Sequence, residues 1–537
     1  MKSRVCLAVG LCFLFLFSPV LSKGEQGQED IRLLLSRAYV SDGQYEKARE
    51  ACNAILREDP RNMQARVLLA DISAYERKFE QAAALYAQIL DEEGDTEVQR
   101  KLADVLSWDK QYDRAIALYD EILERGEDKR ARVQKARILG WQRKYSDSLE
   151  EYRKALENSY DRGIDLEMRA KRAYWDGRVT RAIRNYDELI KEDNGNVEGM
   201  FDLSQLYSYQ GMFREAEGRY EDILGISPRH FRAREGLEKA ELLSRHVRLD
   251  SGYEFFEADS PSRSEDINRS SFFTYASAPC NYNLDVRAGY RLSYRKFSDF
   301  ADVLENKAEV GFSYLRAPDW GVDAYYGVIA YNRGIDPLQV FGGSLRYRIS
   351  DIVTSFTSFE RKQLENTSQL IRDNYYADNY LQRFDFDINK RLKSQAEFLY
   401  SRYSDGNYKV EPGMEMLYLI SLDPRRFSLR YKYFYRNFDE KKTEYFSPKG
   451  FSVNSLKANW RHFLNKEEIF FGANDLYYDL SYEFTVDSKN VIGNKFSAEF
   501  NWDISKRLNF NIRGSVEKSS SGVYKDKNIT ASMRYYF

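Results

Sequence analysis

Hydrophobic positions in this chain follow two periods, and the change from one to the other falls near Arg248. Before it, an aromatic or branched residue returns every 33 or 34 positions: Tyr45, Phe79, Tyr112, Tyr145, Val179 and Phe213. Three positions after each stands a small residue, Ala48, Ala82, Ala115, Ser148, Ala182 or Ala216, and four further on stands Cys52, Tyr86, Tyr119, Tyr152, Tyr186 or Tyr220. Steps of three and four place these markers on one helical face. Two positions ahead of the first marker lie Gly43, Arg77, Lys110, Arg143, Gly177 and Gly211. After Arg248 the period becomes two. Leu284, Val286, Ala288, Tyr290, Leu292 and Tyr294 alternate with Asp285, Arg287, Gly289, Arg291, Ser293 and Arg295. The same alternation marks Phe427 to Tyr435, Phe496 to Trp502, and Ile529 to Phe537. Alternating segments of about ten residues, separated by turn residues, predict strands with one apolar face.

The helical half resembles the tetratricopeptide repeat (TPR), whose period is about 34 residues with this order of large and small positions. A single helix hairpin cannot bury its own apolar face, so neighbouring hairpins stack. The small residue allows close approach of the two helices, and the aromatic beyond it fills the gap to the next repeat. Trp108, Trp141 and Trp175 end the preceding helices in this pattern. Arg77, Lys110 and Arg143 stand where glycine is common, and Val179 replaces an aromatic. Six repeats are predicted from Ile31 to Pro228, with a polar helix from Phe231 to His246 as a cap.

In the second half, short connections are expected near Ala278-Pro279, Ala317-Pro318-Asp319, Ser350-Asp351, Asn389-Lys390-Arg391, Asp423-Pro424, Asn465-Lys466 and Ser505-Lys506. Longer ones are expected at 258–267, 362–379, 437–450 and 519–528. Strands laid between them number about 16, an even count that returns both ends of a barrel to one side. Most of the 41 Tyr and 33 Phe fall after Asp250, as interface girdles require. The predicted fold is therefore an α-helical TPR solenoid followed by a transmembrane antiparallel β-barrel of about 16 strands. The expected boundaries are a signal peptide at 1–22, a TPR domain at 23–247 and the barrel at 248–537. Lys2 and Arg4, the apolar run Val5 to Phe17, and Val20-Leu21-Ser22 carry the signal-peptide reading. The terminal Phe537 resembles the C-terminal signature of bacterial outer-membrane barrels, which implies a role in barrel assembly.

Net charge is −2 and the mean hydropathy is −0.65, so bulk electrostatics imply no polyanion and no nucleic-acid partner. Three histidines and four cysteines, without metal-ligand spacing or a disulfide framework, give no metal site and no cofactor. Charge instead concentrates on the polar face of the strands. Candidates for a lumen path are Arg287, Arg291, Tyr325, Arg346, Asp385, Glu397, Glu415, Arg430, Lys432, Asp479, Glu483, Glu499 and Asp503. Basic residues cluster near 285–295 and 427–436 and acids near 385–415 and 479–503. This arrangement predicts either a conduit with two electrostatic walls or a lumen plugged by cross-barrel ion pairs. Thr367 to Tyr380 breaks the alternation, and Leu370, Ile371, Asn374 and Tyr375 suit a short helix. Folded inward it would be a constriction carried by Tyr375, Tyr376 and Tyr380; folded outward it is a surface loop.

Two short motifs add to the layout: Tyr445-Phe446-Ser447-Pro448, and Ser404-Asp405-Gly406-Asn407. Repeats followed by such a barrel resemble the outer-membrane exopolysaccharide export proteins. That family includes the poly-N-acetylglucosamine export porin and the outer-membrane subunit of bacterial cellulose secretion. The resemblance implies an outer-membrane location with the TPR domain in the periplasm. It also implies periplasmic or inner-membrane secretion components as TPR partners, outer-membrane lipid around the barrel, and a polysaccharide chain as cargo. An anchored TPR scaffold without transport remains open, since fold does not fix function. A barrel hydrolase would need a Ser–His–acid constellation, and His462 has no serine partner by motif; no enzyme activity is expected.

Overall fold

The computed structural model describes residues 24–259, 266–281, 283–298, 301–316, 318–332, 334–465, 475–520, 522 and 524–537. The expected signal peptide lies outside the described residues, as does most of the connection after Asn465. The chain divides into two compact units, Met1–Ile164 and Asp165–Phe537. Secondary structure changes from helix to strand at a different place, between Arg245 and Arg248.

The first unit holds α1 (Gly24–Ser41), α2 (Tyr45–Glu58), α3 (Met63–Tyr75), α4 (Phe79–Glu93), α5 (Thr96–Trp108), α6 (Tyr112–Arg125), α7 (Lys129–Trp141) and α8 (Tyr145–Glu157). The second marker of each hairpin, Ala48, Ala82, Ala115 or Ser148, is fully buried. So is the third, Cys52, Tyr86, Tyr119 or Tyr152. A buried phenol must find a partner: the Tyr86 hydroxyl donates to Asp71, and that of Tyr119 donates to Asp104 at 2.6 Å. Ser148 is tolerated in place of alanine because its hydroxyl donates to the Ala136 carbonyl at 2.6 Å. Trp108 packs on Phe79 and Trp141 on Tyr112, each at 6.4 Å between ring centroids.

The turns explain the odd residues at the glycine position. Arg77, Lys110 and Arg143 adopt φ of 63–64°, the left-handed conformation that Gly43 also takes at 76°. A side chain there costs about 1 kcal/mol, part of which glycine gives back through its freer unfolded chain. Each of Arg77→Gly, Lys110→Gly and Arg143→Gly should therefore stabilise the repeats by about 0.5 kcal/mol. A rise in the helical melting midpoint at 222 nm is the expected readout; a fall would mean that the contacts of these long side chains outweigh the backbone term.

The second unit opens with α9 (Arg162–Trp175), α10 (Val179–Glu192), α11 (Val197–Tyr209), α12 (Phe213–Ile226) and α13 (Phe231–Arg245), where α9 begins just before the unit boundary. Tyr186 and Tyr220 are buried, their hydroxyls meeting Asp202 at 2.9 Å and Gln205 at 2.7 Å. One repeat feature is a capping side chain ahead of the first helix of each hairpin. Asn62, Asp95, Asp128, Asp161 and Asn196 each accept the backbone N–H three residues on, at 2.9–3.1 Å. At α13 the cap is His230, whose Nδ1 accepts the Ala233 N–H at 3.0 Å.

Burial holds the His230 imidazole down at about 4, and the Arg232 charge adds to the shift. A depressed base is neutral in the fold and protonated in the unfolded chain. Its stabilisation is complete above the ordinary histidine value of about 6.5 and is lost as pH falls toward 4. The 222 nm melt should drop between pH 6.5 and 4, and His230→Asn, a cap that does not titrate, should flatten that drop. An unchanged slope in the variant would assign the acid sensitivity elsewhere.

Sixteen strands follow: β1 (Arg248–Asp259), β2 (Ile267–Pro279), β3 (Leu284–Phe297), β4 (Val303–Arg316), β5 (Trp320–Tyr331), β6 (Leu338–Arg348), β7 (Val353–Gln363), β8 (Tyr376–Asp387), β9 (Leu392–Tyr403), β10 (Tyr408–Leu419), β11 (Arg425–Phe438), β12 (Phe451–Asn465), β13 (Leu476–Asp487), β14 (Ile492–Asp503), β15 (Leu508–Ser519) and β16 (Lys525–Tyr536). All pair antiparallel with their sequence neighbours, and β1 closes on β16, with Arg248 opposite Tyr536, into a sealed barrel. Closure leaves no unpaired edge, the condition for a strand structure in lipid. Outward positions are apolar and exposed, among them Phe272, Val310, Phe398, Met416, Leu456, Phe496 and Ile529. The length difference between the two ends is looser than the turn residues predict: the connections at 404–407 and 488–491 are as short as those at 388–391 and 504–507 at the opposite end. The 364–375 connection carries a five-residue helix, α14 (Ser368–Arg372).

Within this unit the last repeats sit against the turns beside the barrel termini. The Arg178 guanidinium donates to the carbonyls of Asp387 and Ile388 at 3.3 and 3.2 Å. Asp351, from the β6–β7 turn, accepts the Thr180 N–H at 2.7 Å and so caps α10, which has no side-chain cap of its own. Lys506 pairs with Glu238 of α13 at 2.6 Å.

Candidate functional site

Alternation decides which side chains enter the barrel, and cross-strand register decides what they meet. Every predicted lumen residue lies on the inward parity of its strand, opposite the parity of the exposed apolar residues. Several of their charges are met laterally, by the adjacent strand or by the next one over. Glu415 takes Arg430 at 3.3 Å, Glu397 takes Lys432 at 3.2 Å, Asp479 takes Arg461 at 2.9 Å and Arg291 takes Glu254 at 3.1 Å. Asp385 takes Arg383 on its own strand at 3.1 Å. Glu483, Glu499 and Asp503 are held by neutral donors: Ser455 at 2.5 Å, Tyr477 at 3.0 Å and Asn509 at 2.6 Å. Neither of the two expected charge arrangements describes this wall. The sequence clusters interleave once the strands pair, so there are no separate positive and negative walls, and these pairs run along the wall instead of across the barrel.

Tyr325 lies flat on the wall. Its ring is flanked by Arg287 at 5.9 Å and Lys307 at 5.8 Å. It occupies the space that a side chain on Gly342 would need, since a Cβ there would stand 2.7 Å from the ring. Tyr331, on the same inward parity of β5, is tied up by a hydrogen bond to Gln363. Arg346 is exposed into the lumen.

Wall cations that residue clustering did not single out include Arg426, Lys457, Arg461 and Arg513. With Arg430, Asp479 and Glu499 they border an inner cavity of about 470 Å³. Their signal was present as inward positions on β11, β12 and β15, but isolated among neutral neighbours.

Across the other mouth lies α14. Leu370 and Ile371 are fully buried. Ile371 packs with Ile267, Phe297, Val303 and Ile335, from the β2–β6 side. Leu370 packs with Ala377, Tyr403, Phe438 and Tyr445, from the β8–β12 side. The helix therefore bridges two sides of the barrel mouth, as an inward fold requires. Irregular backbone at this depth is tolerated only when enclosed by protein or facing a wet cavity.

Two clasps hold it. The first is a chain of charges missed by the sequence reading except for Arg295. Glu365 accepts Arg269 at 2.9 Å and also Arg295, which pairs with Glu305 at 2.7 Å, while Arg269 pairs with Glu254. Arg295 is only 2 % exposed. Burial alone would raise the Glu365 carboxyl, but the charges of Arg295 and Arg269 outweigh it and hold the group at about 2. The second clasp joins the two sequence motifs. The Tyr445 hydroxyl donates to Asp405 at 3.0 Å and accepts from Asn407 at 2.9 Å, and its ring stacks on Tyr403 at 4.9 Å. Asn407 reaches the Glu440 carbonyl at 3.1 Å, and Ser447 accepts the Lys442 N–H at 2.6 Å.

The tyrosine constriction needs correcting. Tyr375 does join the clasp, 6.4 Å from the Tyr445 ring. Tyr376 already belongs to β8, beneath the Arg361 guanidinium at 4.1 Å. Tyr380 faces outward: it is 49 % exposed and packs on Phe359 at 4.8 Å among the apolar outer residues. Resumption of the ladder at Tyr376 puts Tyr380 on the same parity as Phe384, which is also exposed, so Leu370 and Ile371 fill the mouth instead. Phe537 is exposed beside Tyr535, and its N–H donates to the Val247 carbonyl at 3.0 Å, at the seam of the barrel. His462 faces outward in an aromatic cluster with Trp460 and Tyr478. Among the described residues no group of three or more potential ligands is placed to hold a metal.

Residues 33–97 match the family described as Tetratricopeptide repeat. No curated protein matches the chain by sequence. Among solved structures, one described as a bacterial polysaccharide outer membrane secretin aligns over 55 % of this chain and 99 % of its own, at 15 % identity and a TM-score of 0.45. Pseudomonas aeruginosa OpdQ aligns over 54 % of this chain and 98 % of its own, at 10 % identity and a TM-score of 0.32. A tetratricopeptide repeat protein from Parabacteroides merdae aligns over 40 % and 93 %, at 18 % identity and a TM-score of 0.28.

Proposed function

We propose that the chain is an outer-membrane porin for export of an exopolysaccharide. Its TPR repeats lie in the periplasm and recruit secretion partners or the nascent polymer; its barrel passes the chain outward. The observation that carries this reading is the composition of the obstruction. A sealed barrel with a polar, ion-paired wall is crossed at one mouth by a loop helix that side chains hold, not strand hydrogen bonds, so it can leave without opening the ladder. The attachment of α10 and α13 to the opposite rim supports an order of hand-off from repeats to lumen to plug. Transport of this kind needs many weak contacts and no bond chemistry, which agrees with a wall of hydrogen-bonding groups and with His462 facing away from it.

The test is secretion. Cells lacking the protein should retain the polymer, and the full chain should restore its release. Release at the normal rate in the deleted strain would overturn the export reading. The anchored-scaffold reading is favoured by the same buried α14 if it never leaves. It predicts that the protein reconstituted in planar bilayers conducts no ions under any condition, including with the plug removed.

A further inference from the structure

We infer that the polymer handled by this barrel is polyanionic, a glycan bearing carboxylate, sulfate or phosphate groups. The inference rests on the export reading and adds the charge class of the cargo. The net charge of −2 conceals it, because most lumen charges cancel in lateral pairs. What counts is which charges the pairing leaves over, since an unpaired charge facing a cavity is one that a passing ligand can satisfy.

Two separate cavities keep an excess of the same sign. In the inner one, of about 470 Å³, Lys457 and Arg513 face the space with no carboxylate within ion-pair distance among the described residues. Of its two acids, Asp479 is paired with Arg461, while Glu499 keeps its charge and takes the neutral donors Tyr477 and Asn511, so two unpaired cations stand against one carboxylate. The outer cavity, about 960 Å³, lies between the plug segment and the 439–450 loop. Lys441, Lys449 and Lys489 border it, again with no carboxylate at ion-pair distance among the described residues. Its two acids are turned to the backbone but keep their charge, Asp487 accepting the N–H groups of Lys489 and Val491 at 2.8 and 2.9 Å and Glu444 that of Thr443 at 3.0 Å, so three unpaired cations stand against two carboxylates. Beside these lysines stands an exposed aromatic face, Phe446, with the Lys489 ammonium 5.6 Å from its centroid. A sugar ring on an aromatic face with a carboxylate or sulfate between ammonium groups uses both features; a neutral or cationic polymer uses at most one.

The two cavities lie in succession, one on the inner wall of β11–β15 and one at the plugged mouth. An anionic chain therefore meets fresh cations as it advances, each exposed enough to release it.

The experiment is calorimetric titration of the full-length, detergent-solubilised protein with three probes of matched length: oligogalacturonate, a cello-oligosaccharide and a chitosan oligomer. Oligogalacturonate should bind at least roughly tenfold more tightly than either other probe, with affinity falling as salt rises. Lys441→Gln, Lys449→Gln and Lys489→Gln together should weaken it by roughly tenfold. The same should follow from Lys457→Gln with Arg513→Gln, and heat-modifiable migration reports that each variant is folded. Preference for chitosan, or equal affinity for all three probes, overturns the anionic assignment, while the export reading still stands or falls on secretion. Anionic preference unchanged in both folded variants overturns the assignment of these cavities.

Discussion

Replacement of residues 365–374 by Asn-Gly raises the single-channel conductance of the reconstituted barrel by roughly twofold or more, because water and ions occupy the mouth that α14 fills. The design follows from the ladder. The Leu364 N–H donates to the Tyr375 carbonyl at 2.9 Å, so the strands already meet there and a two-residue hairpin can join them. A wider cut from Thr367 to Tyr380 would remove the first five residues of β8, Tyr376 to Tyr380, and break pairs with β7 and β9. The narrow variant keeps all sixteen strands and should keep heat-modifiable migration. It does expose Ile267, Phe297 and Val303, which now cover Ile371, so some loss of thermal stability is expected. Equal conductance in both forms would mean that α14 does not obstruct the path. No conductance in either form would favour the anchored scaffold.

Glu365→Gln loosens the same plug without removing it. The variant leaves Arg295 with Glu305 and Arg269 with Glu254 but cuts the link that ties α14 to both. Losing one partner of a buried ion pair costs about 3 kcal/mol or more. A third of the Glu365 side chain stays open to water, which reduces this to about 2 kcal/mol, or roughly a thirtyfold fall in the closed-to-open ratio. Frequent brief openings should replace a quiet baseline in single-channel records. The pH response has a defined sign. With the carboxyl depressed to about 2, its contribution is complete above the ordinary glutamate value of about 4.3 and is lost as pH falls toward 2. Wild-type conductance should stay flat from pH 7 to about 4 and rise below it, while the variant opens at every pH. Wild-type opening near pH 6 would place the gating proton on another group.

The periodic elements were legible because each follows from a local rule. Tyr45, Phe79, Tyr112 and Tyr145 open helices, and their partners three and seven positions on are buried, since a 3.6-residue turn brings them to one face. The sixteen strands and the inward set from Arg287 to Asp503 follow from a period of two in the same way. The repeated caps Asn62, Asp95, Asp128, Asp161 and Asn196 were equally available at their spacing, yet His230 hid the last of them. Tyr380 shows where local reading ends: its face depends on the residue at which β8 resumes, and a shift of one residue turns a strand position from lumen to exterior.

Sequence by itself determined the periods, the hairpin count, the strand count and the polar face, because each is a property of neighbours along the chain. Only the tertiary structure decided which charges cancel, since Glu415 and Arg430 or Glu397 and Lys432 become partners through strand register. It alone decided that Ser404 to Asn407 and Tyr445 to Pro448 form one clasp, and that Glu365 reaches Arg295, 70 residues away in the chain, across the mouth of the barrel. Closure of the barrel brings those groups together, and no spacing along the chain encodes a contact made by closing a ring of strands.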